Sequence, residues 1–383
     1  MAILDVPHAQ TPVNEGSTVR RPRIALVGPT FPYRGGIAQH TTMMARALQK
    51  IADVLVVSYR RQYPKILYPG LSDRDPAAPD PQLDDLRYLI DSINPLTWCT
   101  ALWEIRRHRP DMVVFVWWTF FWAPCVWFMA WRLQRLGIHV RFFCHNAVEH
   151  EGAWIKAWLS RQALARADSF FVHTGEDEKN LRQDFPDAPV GKYPHPIYDH
   201  FPHPTEVLPR RAASELLFFG LVRPYKGLDV LIEAMGLLKD EDVVLSVVGE
   251  FWSGRAEIDD RIIELGLQDQ VNIVDRYVSD EEAANHFARA DIVVLPYRSA
   301  TGSGVIPLAY HYGKPVIATN VGGLPDVVED GGTGWLVPPE SPDHLAAAIR
   351  NARAQSPDST ASAIAELKRS LTWEGMATAV SAR

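Results

Sequence analysis

Of the 383 residues, 47% are apolar and 22% are charged, the proportions of a globular chain long enough for two or three domains. The 39 Lys and Arg are outnumbered by 46 Asp and Glu, and a net charge of −7 argues against a general nucleic-acid binder, which needs a basic face. Three cysteines, Cys99, Cys125 and Cys144, make no disulfide framework and point to reduced thiols in a cytoplasmic setting.

Residues 1–20 carry no basic start followed by an apolar core, so a disordered tail is expected there rather than a signal peptide. Short apolar runs then predict strands at 23–28, 53–58, 112–117, 139–144 and 169–174, with helical stretches such as "IAQHTTMMARALQK" and "WIKAWLSRQALARA" between them. "MVVFVWWTFFWAPCVWFMAW" (112–131) is twenty residues without a charge, the length of a membrane span. Its β-rich beginning and the mid-stretch Pro124 favour a buried strand, a loop and a buried helix instead. "DFPDAPVGKYPHPIYDHFPHPTEVLPRR" holds seven prolines and little periodicity, which marks a connector. Strands are predicted again at 215–220, 242–249, 271–274, 291–297 and 314–319, each followed by a helix. This α/β alternation predicts two Rossmann-like parallel-sheet domains facing across a cleft. The expected division is a tail (1–20), a first domain (21–185), a linker (186–212), a second domain (213–366) and a final helical segment (367–383). Ligands of such sheets bind beyond the carboxyl ends of the strands, so the loops just after strands are the candidates.

Four such loops carry chemistry. Gly35 and Gly36 open a helix, where backbone without Cβ admits a ligand closely and free N–H groups favour anions. The stretch is not G-x-G-x-x-G and no acidic residue ends the second strand, so it is a poor dinucleotide fingerprint; a plain tight turn is the alternative. His145 directly follows a strand and is placed to hydrogen-bond a sugar hydroxyl or shuttle a proton. Glu149 and His150 lie nearby without completing a metal-ligand set, and no metal is expected. Arg223 and Lys226 sit in one strand-to-helix turn, where a fork and a point charge together fit a diphosphate. In "SATGSGVIPLAY", Thr301 or Ser303 is placed to cap a helix, while Gly302 and Gly304 let backbone amides face a phosphate. No G-K-[ST] follows, which excludes a P-loop.

Taken in order, "FFGLVRPYKGLDVLIEAM", "ADIVVLPY", "GKPVIATNVGGLPDVVEDGGTGWLVPP" and "LTWEGMA" resemble the blocks of retaining family 4 glycosyltransferases with the GT-B fold. That resemblance implies a nucleoside-diphosphate-sugar donor and no bound cofactor or metal. It implies that Arg223 and Lys226 hold the donor diphosphate and that Gly302, Ser303, Gly304 and Val305 cradle its phosphates. Tyr277 and Val278 would lie near the base, His145 by the donor sugar, and Gly35 and Gly36 near diphosphate and acceptor. The segment from about Leu371 would cross back onto the first domain. Two departures stand out: Ala300 and Leu308 occupy the places of a glutamate pair, and Leu221 that of an arginine. The expected activity is retaining hexosyl transfer to a hydroxyl acceptor, in glycolipid, polysaccharide or cell-envelope glycan synthesis. The alternatives are another GT-B enzyme (an epimerase or phosphorylase) and a non-catalytic sugar-nucleotide binder; an NAD-linked oxidoreductase is disfavoured. Trp154 and Trp158, with Lys156, Arg161, Arg166 and the basic run 106–110, fit a helix lying on an anionic membrane. A lipid-linked acceptor and peripheral attachment to the inner membrane face would follow, whereas a core-packed helix with snorkelling cations is the simpler reading of the same residues.

Overall fold

A computed structural model describes residues 20–64, 73–75, 80–146, 154–355 and 357–382. In the first half, the strands are β1 (Arg23–Val27), β2 (Asp53–Arg61), β3 (Leu86–Asp91), β4 (Met112–Trp117), β5 (His139–Cys144), β6 (Ser169–Val172) and β7 (Val190–Lys192). They form one parallel sheet in the order β3-β2-β1-β4-β5-β6-β7. Its helices are α1 (Gly36–Ile51), α2 (Pro95–His108), α3 (Ala123–Gln134), α4 (Trp154–Leu164) and α5 (Gly175–Asp184). The second half contributes β8 (Ser214–Phe219), β9 (Val243–Val248), β10 (Val271–Val274), β11 (Ile292–Leu295), β12 (Val316–Thr319) and β13 (Gly334–Val337). These too are parallel, in the order β10-β9-β8-β11-β12-β13. Between and after them run α6 (Leu228–Gly236), α7 (Arg255–Leu265), α8 (Asp280–Arg289), α9 (Val305–His311), α10 (Pro342–Ala354), α11 (Pro357–Ser370) and α12 (Trp373–Ser381). The fold is thus the expected α/β pair of parallel sheets.

Central strands β4 and β9 are buried along their whole length, as unbroken Val- and Phe-rich runs require when helices cover both faces. The uncharged stretch 112–131 resolves into β4, a 3-10 turn at Phe120–Trp122 and α3, with Pro124 in the helix's first turn, where a missing N–H costs least. Among the described residues no helix is long and apolar enough to cross a membrane. Helix α4 buries Ser160, Ala163 and Leu164 but leaves Trp154 and Trp158 exposed, so core packing does not account for those two rings.

The end of the chain belongs to the first domain by packing. Helix α12 lies along α1, with Lys50 paired to Glu374 at 2.5 Å. The buried Arg141 on β5 donates to the Val380 and Ala382 carbonyls, closing the C-terminus of α12 with a cation. Trp373, 4% exposed, is the main apolar anchor. Trp373→Ala is expected to cost about 3–5 kcal/mol of unfolding free energy, read by urea denaturation, as large aromatic truncations in cores do. A change near zero would mean that α12 is a passenger.

Candidate active site

Three loops converge at the carboxyl ends of adjacent strands β9, β8 and β11. After β8 the chain turns at Gly220 and then forms a 3-10 turn, Pro224–Lys226. Lys226 is only 8% exposed, and its Nζ lies so close to Gly220 that a Cβ there would stand 3.2 Å away. Burial lowers its pKa, and repulsion from Arg223 pushes the same way. Neither cation has an ion pair among the described residues. Arg223 instead lays its guanidinium over the Trp252 ring, 3.9 Å from the centroid, and Lys226 Nζ stands 5.5 Å from that of Tyr297.

The turn is held by backbone geometry and by one arginine. Gly227 has φ 65°, and a Cβ there would meet the Pro296 carbonyl oxygen at 2.0 Å, so only glycine fits. Arg298, two residues beyond Pro296, donates to both Asp229 carboxylate oxygens (2.8 and 2.6 Å), to the Pro224 carbonyl (2.7 Å) and to Glu340 (2.7 Å). Its own amide donates to Tyr225 O at 2.7 Å. One planar fork thereby fastens the cationic turn and the start of α6 to the loop after β11.

That loop carries the glycine turn. Among the described residues the amides of Gly302, Ser303 and Gly304 make no hydrogen bond. Ser303 Oγ accepts from Val305 N at 3.2 Å, the expected local cap, and lies 3.3 Å from the Tyr297 hydroxyl. Thr301 does not cap; its hydroxyl donates to Asn146 Oδ1 at 2.6 Å, across to the first domain. Leu308 is buried in α9, and the Ala300 carbonyl packs against Gly322, so neither position brings a carboxylate to the turn.

On the first domain, Gly35 and Gly36 start α1 with open space where side chains would stand, and their amides are unbonded among the described residues. Tyr277 spans the domains: its hydroxyl donates to Asp75 Oδ2 at 3.2 Å and the Arg34 guanidinium lies 5.1 Å from its ring centroid. Val278 is buried beside it. His145 follows β5 as expected, with its amide on Trp117 O, but its ring turns into the first domain, against His40 (4.5 Å), Phe143 (5.2 Å) and His173 (5.5 Å). Burial pushes its pKa down to about 3, so the ring is neutral. Glu149 and His150 lie outside the described residues. The sequence reading missed Trp252, Tyr297, Arg298 and Asn146. Trp252 and Asn146 follow strand ends, the same rule that singled out Arg223 and His145.

Two parallel-sheet domains, with cations and amides that have no partner among the described residues gathered at the strand ends of the second, fit the class of GT-B glycosyltransferases. Comparison with known proteins agrees. Residues 213–355 match the family described as Glycosyl transferases group 1, and residues 35–190 match the Glycosyl transferase 4-like domain. D-inositol 3-phosphate glycosyltransferase of Mycolicibacterium gilvum is 33% identical over 165 residues, 42% of this chain and 37% of the relative. GDP-mannose:glycolipid 4-beta-D-mannosyltransferase of Xanthomonas campestris pv. campestris is 26% identical over 216 residues, 55% of this chain and 59% of the relative. The chain thus spans less than two thirds of either relative's length. Sucrose-phosphate synthase from Thermosynechococcus elongatus shares the fold with a TM-score of 0.71 at 21% identity, over 94% of this chain and 97% of its own. Anabaena HepE in complex with UDP does so at 0.69 and 17%, over 94% and 98%. The chain belongs to the group 1 glycosyl transferases.

Gly227→Ala is expected to lower stability by about 2 kcal/mol, from left-handed strain and the clash with Pro296 O. An unchanged denaturation midpoint would show that the turn is not pinned there.

Proposed function

We propose that the chain is a retaining glycosyltransferase that moves a sugar from a nucleoside-diphosphate sugar to a hydroxyl acceptor. The observation that carries this reading is the pair of cations Arg223 and Lys226, without an ion pair among the described residues, beside the amides of Gly302, Ser303 and Gly304, likewise without a described partner. A buried ammonium without a counter-ion is costly, and a diphosphate supplies the missing charge. Relatives point to the same donor class: one is named for GDP-mannose, and HepE is also described with UDP-glucose.

Breaking the sugar–phosphate bond leaves negative charge on the diphosphate and positive charge on the sugar ring. Donors fixed around the leaving oxygens act more strongly as that charge develops, which lowers the barrier. The acceptor oxygen bonds to the anomeric carbon on the face that the phosphate leaves, and the leaving phosphate oxygen takes the hydroxyl proton. Retention follows without a protein nucleophile. In this reading Val305 adds its amide end of α9 to the cradle, Tyr277 and Val278 lie by the base, and Gly35 and Gly36 present amides from the facing domain. With no metal or cofactor invoked, these side chains and amides supply the electrostatics.

The acceptor reading rests on the outer face of the first domain. Trp154, 77% exposed, Ile155 and Trp158 project from α4 beside Trp127 on α3, which stacks on Trp131 at 6.0 Å. Arg166 lies over Trp127 and Arg135 over Trp131, and on neighbouring α2 Arg107 lies over exposed Trp103. Aromatic rings capped by cations suit an interface with anionic headgroups, and hence a lipid-linked acceptor presented at the inner face of a membrane.

Arg223→Ala should lower turnover by about 10²–10³-fold, read as labelled-donor consumption. Lys226→Met should do the same while holding or raising the unfolding temperature of the donor-free protein, because it removes an uncompensated buried charge. Near-normal transfer by both variants rejects the site. On anionic liposomes, flotation should be strong at low salt, weaker at high salt, and lost in Trp154→Ser/Trp158→Ser. No flotation by the unaltered chain at either salt removes the membrane reading.

A further inference from the structure

Behind His145 the first domain holds three more imidazoles. His40 sits on α1, His173 follows β6 and His195 lies in the connector. The His40 ring is 4.8 Å from that of His173 and 5.1 Å from that of His195, and Phe143 and Trp373 pack against it. We propose that His40, His145 and His173 form a binding site for a divalent transition-metal ion of the zinc class, with a water as fourth ligand.

One potential ligand nitrogen from each of these residues lies within 4.8 Å of the other two. Tetrahedral zinc, with Zn–N of about 2.0–2.1 Å, sets its ligands roughly 3.4 Å apart, so side-chain rotation of about an ångström closes the set. His40 Nε2 and His173 Nε2 already stand 3.0 Å apart. The tautomers suit coordination. His173 Nδ1–H donates to Tyr193 O at 2.9 Å, which leaves its Nε2 lone pair facing the cluster, as metal-bound histidines are commonly held from behind. Among the described residues His145 Nε2 and His40 Nδ1 are enclosed and have no hydrogen-bond partner. A bound ion would give His145 Nε2 a partner that no described residue supplies. Coordination through His40 Nε2 moves that ring's proton to Nδ1, a tautomer exchange that releases no net proton. An all-imidazole set with an apolar shell of Phe143 and Trp373 favours zinc, cobalt, nickel or copper over magnesium and calcium, which need oxygen ligands.

The inference does not rest on the transfer reaction, because its test needs no sugar. Chelator-stripped full-length protein is titrated with zinc by calorimetry and with cobalt(II) by absorption. One equivalent should bind, cobalt should show a tetrahedral ligand-field spectrum, and zinc should raise the unfolding temperature. His40→Gln and His173→Gln should each weaken binding at least about tenfold, while His344→Gln, on the surface of the second domain, leaves it unchanged. No binding, an octahedral cobalt spectrum, or affinity unaltered by both cluster variants overturns the site. Should those variants misfold by circular dichroism, the cobalt spectrum of the unaltered protein decides alone.

Discussion

A buried ammonium with no carboxylate partner among the described residues is the constraint around which the second domain is arranged. Lys226 lies under Gly220 and beside Tyr297, and repulsion from Arg223 adds to its burial in disfavouring the charged form. Such a group would ordinarily turn outward to water. It stays because the turn has no freedom to release it. Gly227 presses against Pro296, and Arg298 ties the turn from Pro224 to Asp229 onto the loop after β11. Asp229 and Glu340 pair with Arg298 rather than with these cations. Positive charge is thus concentrated by giving the carboxylates a different arginine to hold.

The same economy governs the backbone. Among the described residues the amides of Gly302 to Gly304, at a partly exposed turn, make no hydrogen bond. Ser303 spends its hydroxyl on Val305, one step further into α9, and Thr301 spends its hydroxyl on the facing domain. The polar side chains around the turn therefore all point away from its amides. What remains is a run of backbone amides that an acceptor-rich ligand can satisfy.

Much of this was readable in the amino-acid string. All ten strands expected from apolar runs are present, because a strand buried on both faces must be uniformly apolar. The three that escaped, β3, β7 and β13, lie at sheet edges. There burial is partial, and the Leu86–Asp91 run mixes Arg and Asp with its apolar residues. β7 is three residues long and hides among prolines. At the site, the cations and glycines were legible because their residue types carry the chemistry. Arg298 was not: nothing local distinguishes an arginine that clamps Asp229, 69 positions earlier, from one that faces water. The histidine cluster was illegible for the same reason, since its members are distributed over 155 positions from His40 to His195, and only the sheet order brings them together.

The chain passes between domains twice, once from β7 to β8 and once from α11 to α12, and the two passages are laced together by Ile197 N on Leu371 O at 3.0 Å and by the Tyr193 hydroxyl on Ser370 O at 2.9 Å. A single tether would leave two bodies to tumble about a point. Two tethers laced to each other remove that freedom, and the Thr301–Asn146 and Tyr277–Asp75 contacts join the domains again through the loops after β11 and β10.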